Sequence, residues 1–477
     1  MKVSQNLKGI LTIIGGFCMH LVLGSMYTWA SILPYIGSKL HYYNPDTTLE
    51  STLFFIPINE LAINFTMPLG GVLEKKMSGK LLMLIGTFCI GMGNIVCAYG
   101  KNIFMIILGD FIIGGGSGLV YMVPLKNAWN YFPEQKGLVS GIIVCGFGLS
   151  SFIFSYVSKI IANPLDKESN DEGFLGRSVT KRVTRMFIWF AIIYSLLGII
   201  AAMLYITYKP DTEETELVEN RAITDYDTIS RIQLTKIEEK NERNETLGRA
   251  LFSKQFFLLF LMPFLSSTFG LFTVNALKLF GNKCDIDDYT LTIAASIAGL
   301  ANGFSRPFWG YLLDIWSFKK TYYTLCVYQF FLAISIYFTP MLHKYVYLIW
   351  CFLTLWGQGC YFTIFPAVTR HIFGERLSTE LYGFVFYAFT FGCFAGPILT
   401  NYLVAGGEKI YYLFIFWLFA LCNVLSFYIC WDFKYEEFDY NKRHYFSHNS
   451  RFSQMYSRDY NSSVISNQYV SLERIKS

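Results

Sequence analysis

Residues Ala294 to Lys320 read AASIAGLANGFSRPFWGYLLDIWSFKK. The run begins as an apolar, small-residue helix and, with the residues before it, is long enough to cross a bilayer. Inside it stands one cation, Arg306, followed at once by Pro307. Asp314, Lys319 and Lys320 mark an aqueous end. Arg306 precedes Asp314 by eight residues, which at helical rise puts it about 12 Å inside that end. An arginine at such depth costs about 2.5–3.5 kcal/mol on insertion scales unless it faces a wet cavity or a partner. The chain reads as a membrane machine organised around this side chain.

Working outward, apolar runs of bilayer length recur along nearly the whole chain. With 53% hydrophobic and 15% charged residues over 477 positions, the chain is too apolar and too long for one soluble core. Expected spans lie near 9–34, 50–73, 81–99, 103–125, 137–161, 186–207, 252–277, 289–313, 320–340, 345–369, 379–404 and 409–431. The expected fold class is an all-α membrane protein of twelve transmembrane helices in two six-helix bundles, with both termini on one side. The first apolar run continues past signal-peptide length and reads as the first span. The net charge of +5 is scattered, so no nucleic-acid surface is expected. Ten of the 11 cysteines sit in apolar runs and Cys284 in a polar loop, without Cys-x-x-Cys or Cys/His spacing. Neither a metal nor a cofactor is expected.

The domain reading is an N-terminal bundle over 1–207, a charged linker over 208–250, a C-terminal bundle over 251–431 and a disordered tail over 432–477. In the linker, Glu213, Glu214, Glu216, Glu238 and Glu239 mark a solvated segment, and Ile229, Ile232 and Ile237 could line a short surface helix. Lys2, Lys8, Lys75, Lys76, Lys80, Lys319 and Lys320 favour cytosolic termini. Lys181, Arg182 and Arg185 would then be external, in a loop shared with Asp166, Glu168, Asp171 and Glu172. The acceptors Asn244-Glu-Thr246 and Asn461-Ser-Ser463 would be cytosolic and unglycosylated.

The halves repeat. Gly70-Gly-Val-Leu-Glu74 with Lys80 is matched by Gly310-Tyr-Leu-Leu-Asp314 with Lys320, 240 residues later. Small residues permit close helix approach, and an acid at a helix end can pair with cations next door. A duplicated six-span unit implies two halves rocking about a midplane site.

This arrangement resembles the major facilitator superfamily, whose loop signature is a glycine, an acid four residues on and then basic residues. Here it is degenerate: Glu74 stands for the usual aspartate, and the glycine is displaced to Gly79. The run GGGSGLVYMVPLKNAWNYFPEQKGLVSGIIVCGFGLS (Gly114 to Ser150) resembles the fourth and fifth spans of the oxalate:formate antiporter-like and monocarboxylate transporter group. FTIFPAVTRHIFGERLSTELYGFVFYAFTFGCFAGP (Phe362 to Pro397) resembles its tenth and eleventh, and Arg306-Pro-Phe-Trp-Gly310 its Arg-Pro-x-x-Gly. Two departures stand out. Asn302 occupies the place of an aspartate in monocarboxylate transporters. Where oxalate transporters carry a lysine in the eleventh span, Tyr382 to Phe394 has none, Phe389 lying nearest. Loss of that second cation points away from a dicarboxylate.

Arg306 is the candidate anion ligand, since its planar fork of donors matches a carboxylate and stays charged when desolvated. The competing reading is a permanent ion pair with an acid on another helix. Glu60 and Asp110, set in apolar runs, and His20 are candidates for proton coupling, or for plain interhelical hydrogen bonds. Tyr27 and Tyr121 are placed around a cavity by the resemblance; Trp29, Tyr361 and Tyr387 are further candidate substrate contacts. Gly70, Glu74, Gly310 and Asp314 form the expected conformational motif. The glycines near 114 and 146 lack the strand and the Gly-Lys-Ser/Thr of a phosphate loop and read as helix-packing positions.

The function expected is secondary transport of a small organic anion, a monocarboxylate, by proton symport or exchange. Two other readings stay open: a carrier of a larger or zwitterionic metabolite (vitamin acid, amino acid or nucleoside), and a non-transporting nutrient sensor on the same scaffold. The expected partners are the anionic solute, protons and the lipid bilayer. No nucleophile–base pair or metal cluster points to an enzyme.

Overall fold

The computed structural model describes residues 4–48, 50–165, 167, 170, 174–209, 247–399, 409–436 and 438. The linker calls from Glu213 to Asn244, the tail beyond 438 with Asn461, and Asp166, Glu168, Asp171 and Glu172 lie outside the described residues.

Six of the described helices start on a polar side chain that caps free backbone amides. Ser4 opens α1 (Gln5–Leu23), Ser78 opens α4 (Gly79–Tyr99) and Asn102 opens α5 (Ile103–Val120). In the second half Ser253 opens α10 (Lys254–Lys283), Asp287 opens α11 (Asp288–Ile315) and Ser317 opens α12 (Phe318–Ser335). The remaining elements are α2 (Trp29–Tyr43), α3 (Phe55–Glu74), α6 (Val123–Tyr131), α7 (Lys136–Ala162), α8 (Arg177–Leu204), the short α9 (Leu247–Leu251) and α13 (Thr339–Leu342), α14 (Lys344–Leu399) and α15 (Ile410–Asp432).

Among the described residues nine helical stretches are long and apolar enough to cross a membrane. One of them holds two spans, because α14 is two helices joined at Gly374, whose φ of 78° suits glycine. In α3 and α11 the polar residues Asn59, Glu60, Asn64, Asn302 and Arg306 dilute the apolar signal; with these two the twelve spans are complete.

Three boundaries differ from the sequence reading. The first span breaks into α1 and α2 at a 3-10 turn, Gly24–Thr28. There a side chain on Gly24 would strike the Phe147 carbonyl, so α7 lies directly on the turn. The sixth span starts nine residues early, and Lys181, Arg182 and Arg185 are helical rather than loop residues. A helix can run past the hydrocarbon into the polar layer, where its charges are hydrated. Packing also continues beyond Asp432: the Tyr435 ring stacks 4.3 Å from His371, and the Phe438 amide donates to Ile372 O at 2.7 Å.

The halves α1–α8 and α9–α15 meet along two seams, α7 on α11 and α3 on the second helix of α14. The end where α1 begins and α3 and α11 finish is termed proximal. There the first seam is backbone on backbone, since a side chain on Gly310 would fall onto Gly137 O, and it stays close deeper in, where one on Gly148 would fall onto Gly303. Asp314 accepts from the Gly137 and Leu138 amides, both at 2.7 Å, so an acid of one half caps the first turn of a helix in the other. On the second seam Gly383 packs on Pro68, and Lys75 forms an ion pair with Glu380. Arg370 of α14 closes the space between, donating to Lys126 O (3.2 Å), Asn130 Oδ1 (2.7 Å) and Glu375 (2.6 Å) over the Trp129 ring.

Candidate functional site

Arg306 is fully buried, 0% exposed, on the α11 face that meets α7. Asn302, one helical turn earlier, shares that face. Its Oδ1 accepts from Arg306 Nε at 3.3 Å and from Nη2 at 3.2 Å. Nη1 donates to Val144 O of α7 at 2.9 Å, and the guanidinium lies 5.5 Å from the Phe147 ring and 5.0 Å from the Phe362 ring. Three of its five N–H groups are thus bonded, all to neutral acceptors. Among the described residues no carboxylate pairs with it: Asp314 is engaged by α7 amides and Glu74 by Lys126 at 2.9 Å. A buried cation without a charged partner is costly to keep.

Around it is a cluster of rings from both halves. Tyr121, at the break between α5 and α6, packs edge-on to His20 (5.0 Å) and Phe147 (5.8 Å) in its own half and to Phe386 (5.6 Å) of α14 in the other, with the Tyr382 ring tilted against it at 6.0 Å. Tyr27, in the 3-10 turn, stands edge-on to Phe147 at 5.3 Å, within electrostatic reach of both Arg306 and Glu60. His20 Nδ1 lies 3.0 Å from Gly16 O, the donor side of its ring. Its Nε2 is buried without a hydrogen-bond partner, and the buried hydroxyls of Tyr121 and Tyr382 face one another. Unsatisfied buried polar atoms are uncommon, and this cluster gathers around one cation.

Glu60 lies on the other seam, 14 residues before Glu74 and so deeper than Arg306, and is 1% exposed. Its carboxyl faces Thr390 and Cys393 of α14, and Oε2 has no hydrogen-bond partner. One turn along α3, Asn64 donates to Thr390 Oγ1 at 2.5 Å.

The other sequence candidates lie elsewhere. Trp29 packs between Phe55 (5.5 Å) and Phe187 (6.0 Å) inside the first half, beside Ser25, Thr28, Asn94 and Tyr194. Tyr361 faces Phe365, Phe389, Ser266 and Cys326 in the interior of the second half. Tyr387 stacks on Phe384 and lies near the exposed Phe391 on the outer surface. Asp110 accepts from Asn59 Nδ2 at 2.6 Å, the interhelical role that was its competing reading. The structure places these four apart from the rings that surround Arg306. Helical spacing in so aromatic a chain does not say which face looks inward. Of the conformational motif, a side chain on Gly70 would strike Leu119 O, Glu74 pairs with Lys126 in its own half, and Gly310 and Asp314 engage α7.

The sequence reading missed Tyr382, Phe386, Phe147, Phe362 and the Val144 carbonyl. It also missed Lys39, buried and donating to Ala98 O at 2.7 Å and Cys97 O at 3.1 Å, where it caps the carbonyl end of α4. Tyr382 was detectable as a hydroxyl within an apolar span; a backbone carbonyl carries no sequence signal. Among the described residues no group of three or more His, Cys, Asp or Glu could hold a metal.

Comparison with known proteins agrees with this geometry. Residues 14–397 match the Major Facilitator Superfamily. The chain is 23% identical to apicoplast pyruvate carrier 1 of Toxoplasma gondii over 79% of this chain and 80% of that protein. It is 22% identical to the oxalate:formate antiporter of Oxalobacter formigenes over 77% of this chain and 78% of that one. The solved structure of the proton:xylose symporter XylE superposes with a TM-score of 0.70 at 14% identity, covering 91% of this chain and 98% of that one, which speaks to the fold. The chain is therefore a multi-pass membrane transporter belonging to the Major Facilitator Superfamily.

Proposed function

We propose that the protein is a secondary carrier of a small monocarboxylate, working by alternating access, with Arg306 as the anion ligand. The observation that carries this reading is the fully buried guanidinium that bonds only neutral acceptors. A carboxylate fits its two remaining N–H groups as a fork, and the resulting charge-assisted bonds are about twice as strong as neutral ones. Tyr27, Tyr121 and Tyr382 offer hydroxyls and ring walls for the rest of a small acid. Where the resembling oxalate transporters carry a second cation, Phe389 packs 4.8 Å from Phe362, the ring beside Arg306. One cation and an apolar wall suit one carboxylate. The names of the relatives, a pyruvate carrier and an oxalate:formate antiporter, support the same solute class.

In this reading the proximal end faces the cytosol, as the lysines at 75, 76, 80, 319 and 320 favour; glycan on Asn244 or Asn461 would reverse it. The test of function is uptake of radiolabelled pyruvate, lactate and formate by the purified protein in proteoliposomes. Saturable uptake of at least one is expected. Binding of a neutral solute with no monocarboxylate flux would overturn the proposal.

A further inference from the structure

Past the last span, residues 433–436 and 438 form a strap over the proximal end of the second half. Phe433 is fully buried and stands edge-on to Phe318 of α12 at 5.7 Å. Tyr435 stacks on that same ring (5.5 Å) and on His371 of α14 (4.3 Å). Gln255 of α10 donates to the carbonyls of Lys434 (3.4 Å) and Glu436 (3.2 Å). The Phe438 ring tilts on Phe373 at 5.5 Å, and its amide donates to Ile372 O at 2.7 Å. The strap thus engages His371, Ile372 and Phe373, the three residues directly before Gly374. At Gly374 α14 leaves the helical conformation, with φ of 78°. A helix that stops leaves its last carbonyls without intrahelical donors, and Phe438 supplies one. Beyond this bend lie the α14 contacts with the first half: Glu380 with Lys75, Gly383 on Pro68, Thr390 with Asn64, and Tyr382 and Phe386 against Tyr121. Thr390 stands 16 residues past Gly374, about 24 Å at helical rise. A swing of about 5° at the bend therefore moves it by about 2 Å, enough to break a hydrogen bond.

The bend is held from two directions. Arg370 pairs with Glu375 across Gly374 while also bonding Asn130 and the Lys126 carbonyl of the first half. That hold is shared between the halves. The strap contacts given above are all with α10, α12 and α14, within the second half. We infer that the strap is a positioning element: by capping α14 before Gly374 it fixes the direction of the second helix of α14, so that the α3 seam forms and Tyr382 and Phe386 meet Tyr121 when the proximal end closes. When the halves part, Arg370 loses its first-half acceptors and the strap alone holds the bend. Without the strap, the second helix of α14 pivots on Gly374 apart from the rest of its half, and proximal closure weakens. This rests on the alternating-access reading given above and not on the identity of the solute.

The experiment is hydrogen–deuterium exchange of the full chain in nanodiscs, read by mass spectrometry at 375–383 of α14, at 70–75 of α3, and at 288–296 of α11 as a distal reference. The double variant Tyr435→Ala/Phe438→Ala should exchange about tenfold faster at 375–383 and at 70–75, on the scale of one lost hydrogen bond, with the distal reference unchanged. Tyr435→Phe, which keeps the ring stack, should match the wild type at all three. Faster exchange confined to the strap would overturn the inference. So would acceleration at 375–383 with none at 70–75, since the strap would then cap α14 without positioning it on α3. Equal acceleration at the distal reference would also overturn it, as a general loss of stability. Should the double variant fail to purify, Phe438→Leu keeps the amide and an apolar side chain but not the ring. It should exchange several-fold faster at 375–383 and 70–75, and wild-type exchange there would overturn the inference.

Discussion

The seam of α7 on α11 and the seam of α3 on α14 hold corresponding places in the two halves, yet they are made of different material. The first is paved with glycine, so backbones touch, and a carboxylate crosses it: Asp314 caps the α7 amides. The second is joined by side chains, Asn64 to Thr390 and Lys75 to Glu380. Its own loop acid, Glu74, stays at home on Lys126. The sequence repeat preserved the place of the acid but not its partner. The seams differ in buried charge as well, one holding the cation Arg306 and the other the acid Glu60. Duplication supplies two equivalent seams, and their buried charge has diverged.

The largest expected effect falls on the glycine seam. Gly310→Val would drive a branched side chain into the Gly137 carbonyl and prevent proximal closure. Overpacking of about 1–3 kcal/mol moves the open–closed balance by roughly 5- to 150-fold, and uptake should fall in that range while the protein still purifies as a monodisperse species. An unchanged rate would mean that this seam need not close in transport.

Next is the capping acid. Asp314→Asn exchanges two charge-assisted bonds for at most one neutral bond, a loss of about 1–2 kcal/mol. A several-fold lower turnover with near-normal substrate affinity is expected, read from the concentration dependence of initial uptake. Lys75→Arg on the other seam, which keeps a cation on the buried Glu380, should do less, below about 1 kcal/mol. Equal effects of the two variants would erase the proposed contrast between the seams.

The smallest effect is expected at the distal cap, Asp287. Its carboxyl accepts from Lys344 (2.9 Å) and Thr290, and these bonds hold it below the usual carboxylate range. The stability it adds is complete above the unfolded aspartate value and is lost only as pH falls through the depressed native value. Between about pH 5 and 8, above the ordinary aspartate range, Asp287→Asn should shift melting by the same small amount at every pH. A pH-dependent gap in that window would assign the cap a different titration.

Much of this was legible beforehand. The bilayer imposes a helix length, so the twelve spans could be counted from apolar runs, and a guanidinium inside such a run declared itself as Arg306. What the runs could not say was direction. Trp29, Tyr361 and Tyr387 were indistinguishable by spacing from Tyr27 and Tyr121, because aromatic residues make up 18% of the chain and occur on every helix face. The break at Gly24–Thr28 depends on how closely α7 approaches, a tertiary fact. The acceptors of Arg306 escaped for the same reason. Asn302 was noticed only as a missing aspartate, and Val144 contributes a carbonyl that any residue could supply.

The central claim is that the buried guanidinium of Arg306 binds the transported anion. Its most direct test compares pyruvate exchange in proteoliposomes for the wild type, Arg306→Lys and Arg306→Gln, with matched folding checked by thermal melting. The account predicts saturable exchange by the wild type, a weakened apparent affinity with lysine, which keeps the charge but not the fork, and no exchange with glutamine. Exchange by Arg306→Gln at the wild-type rate and affinity would contradict it.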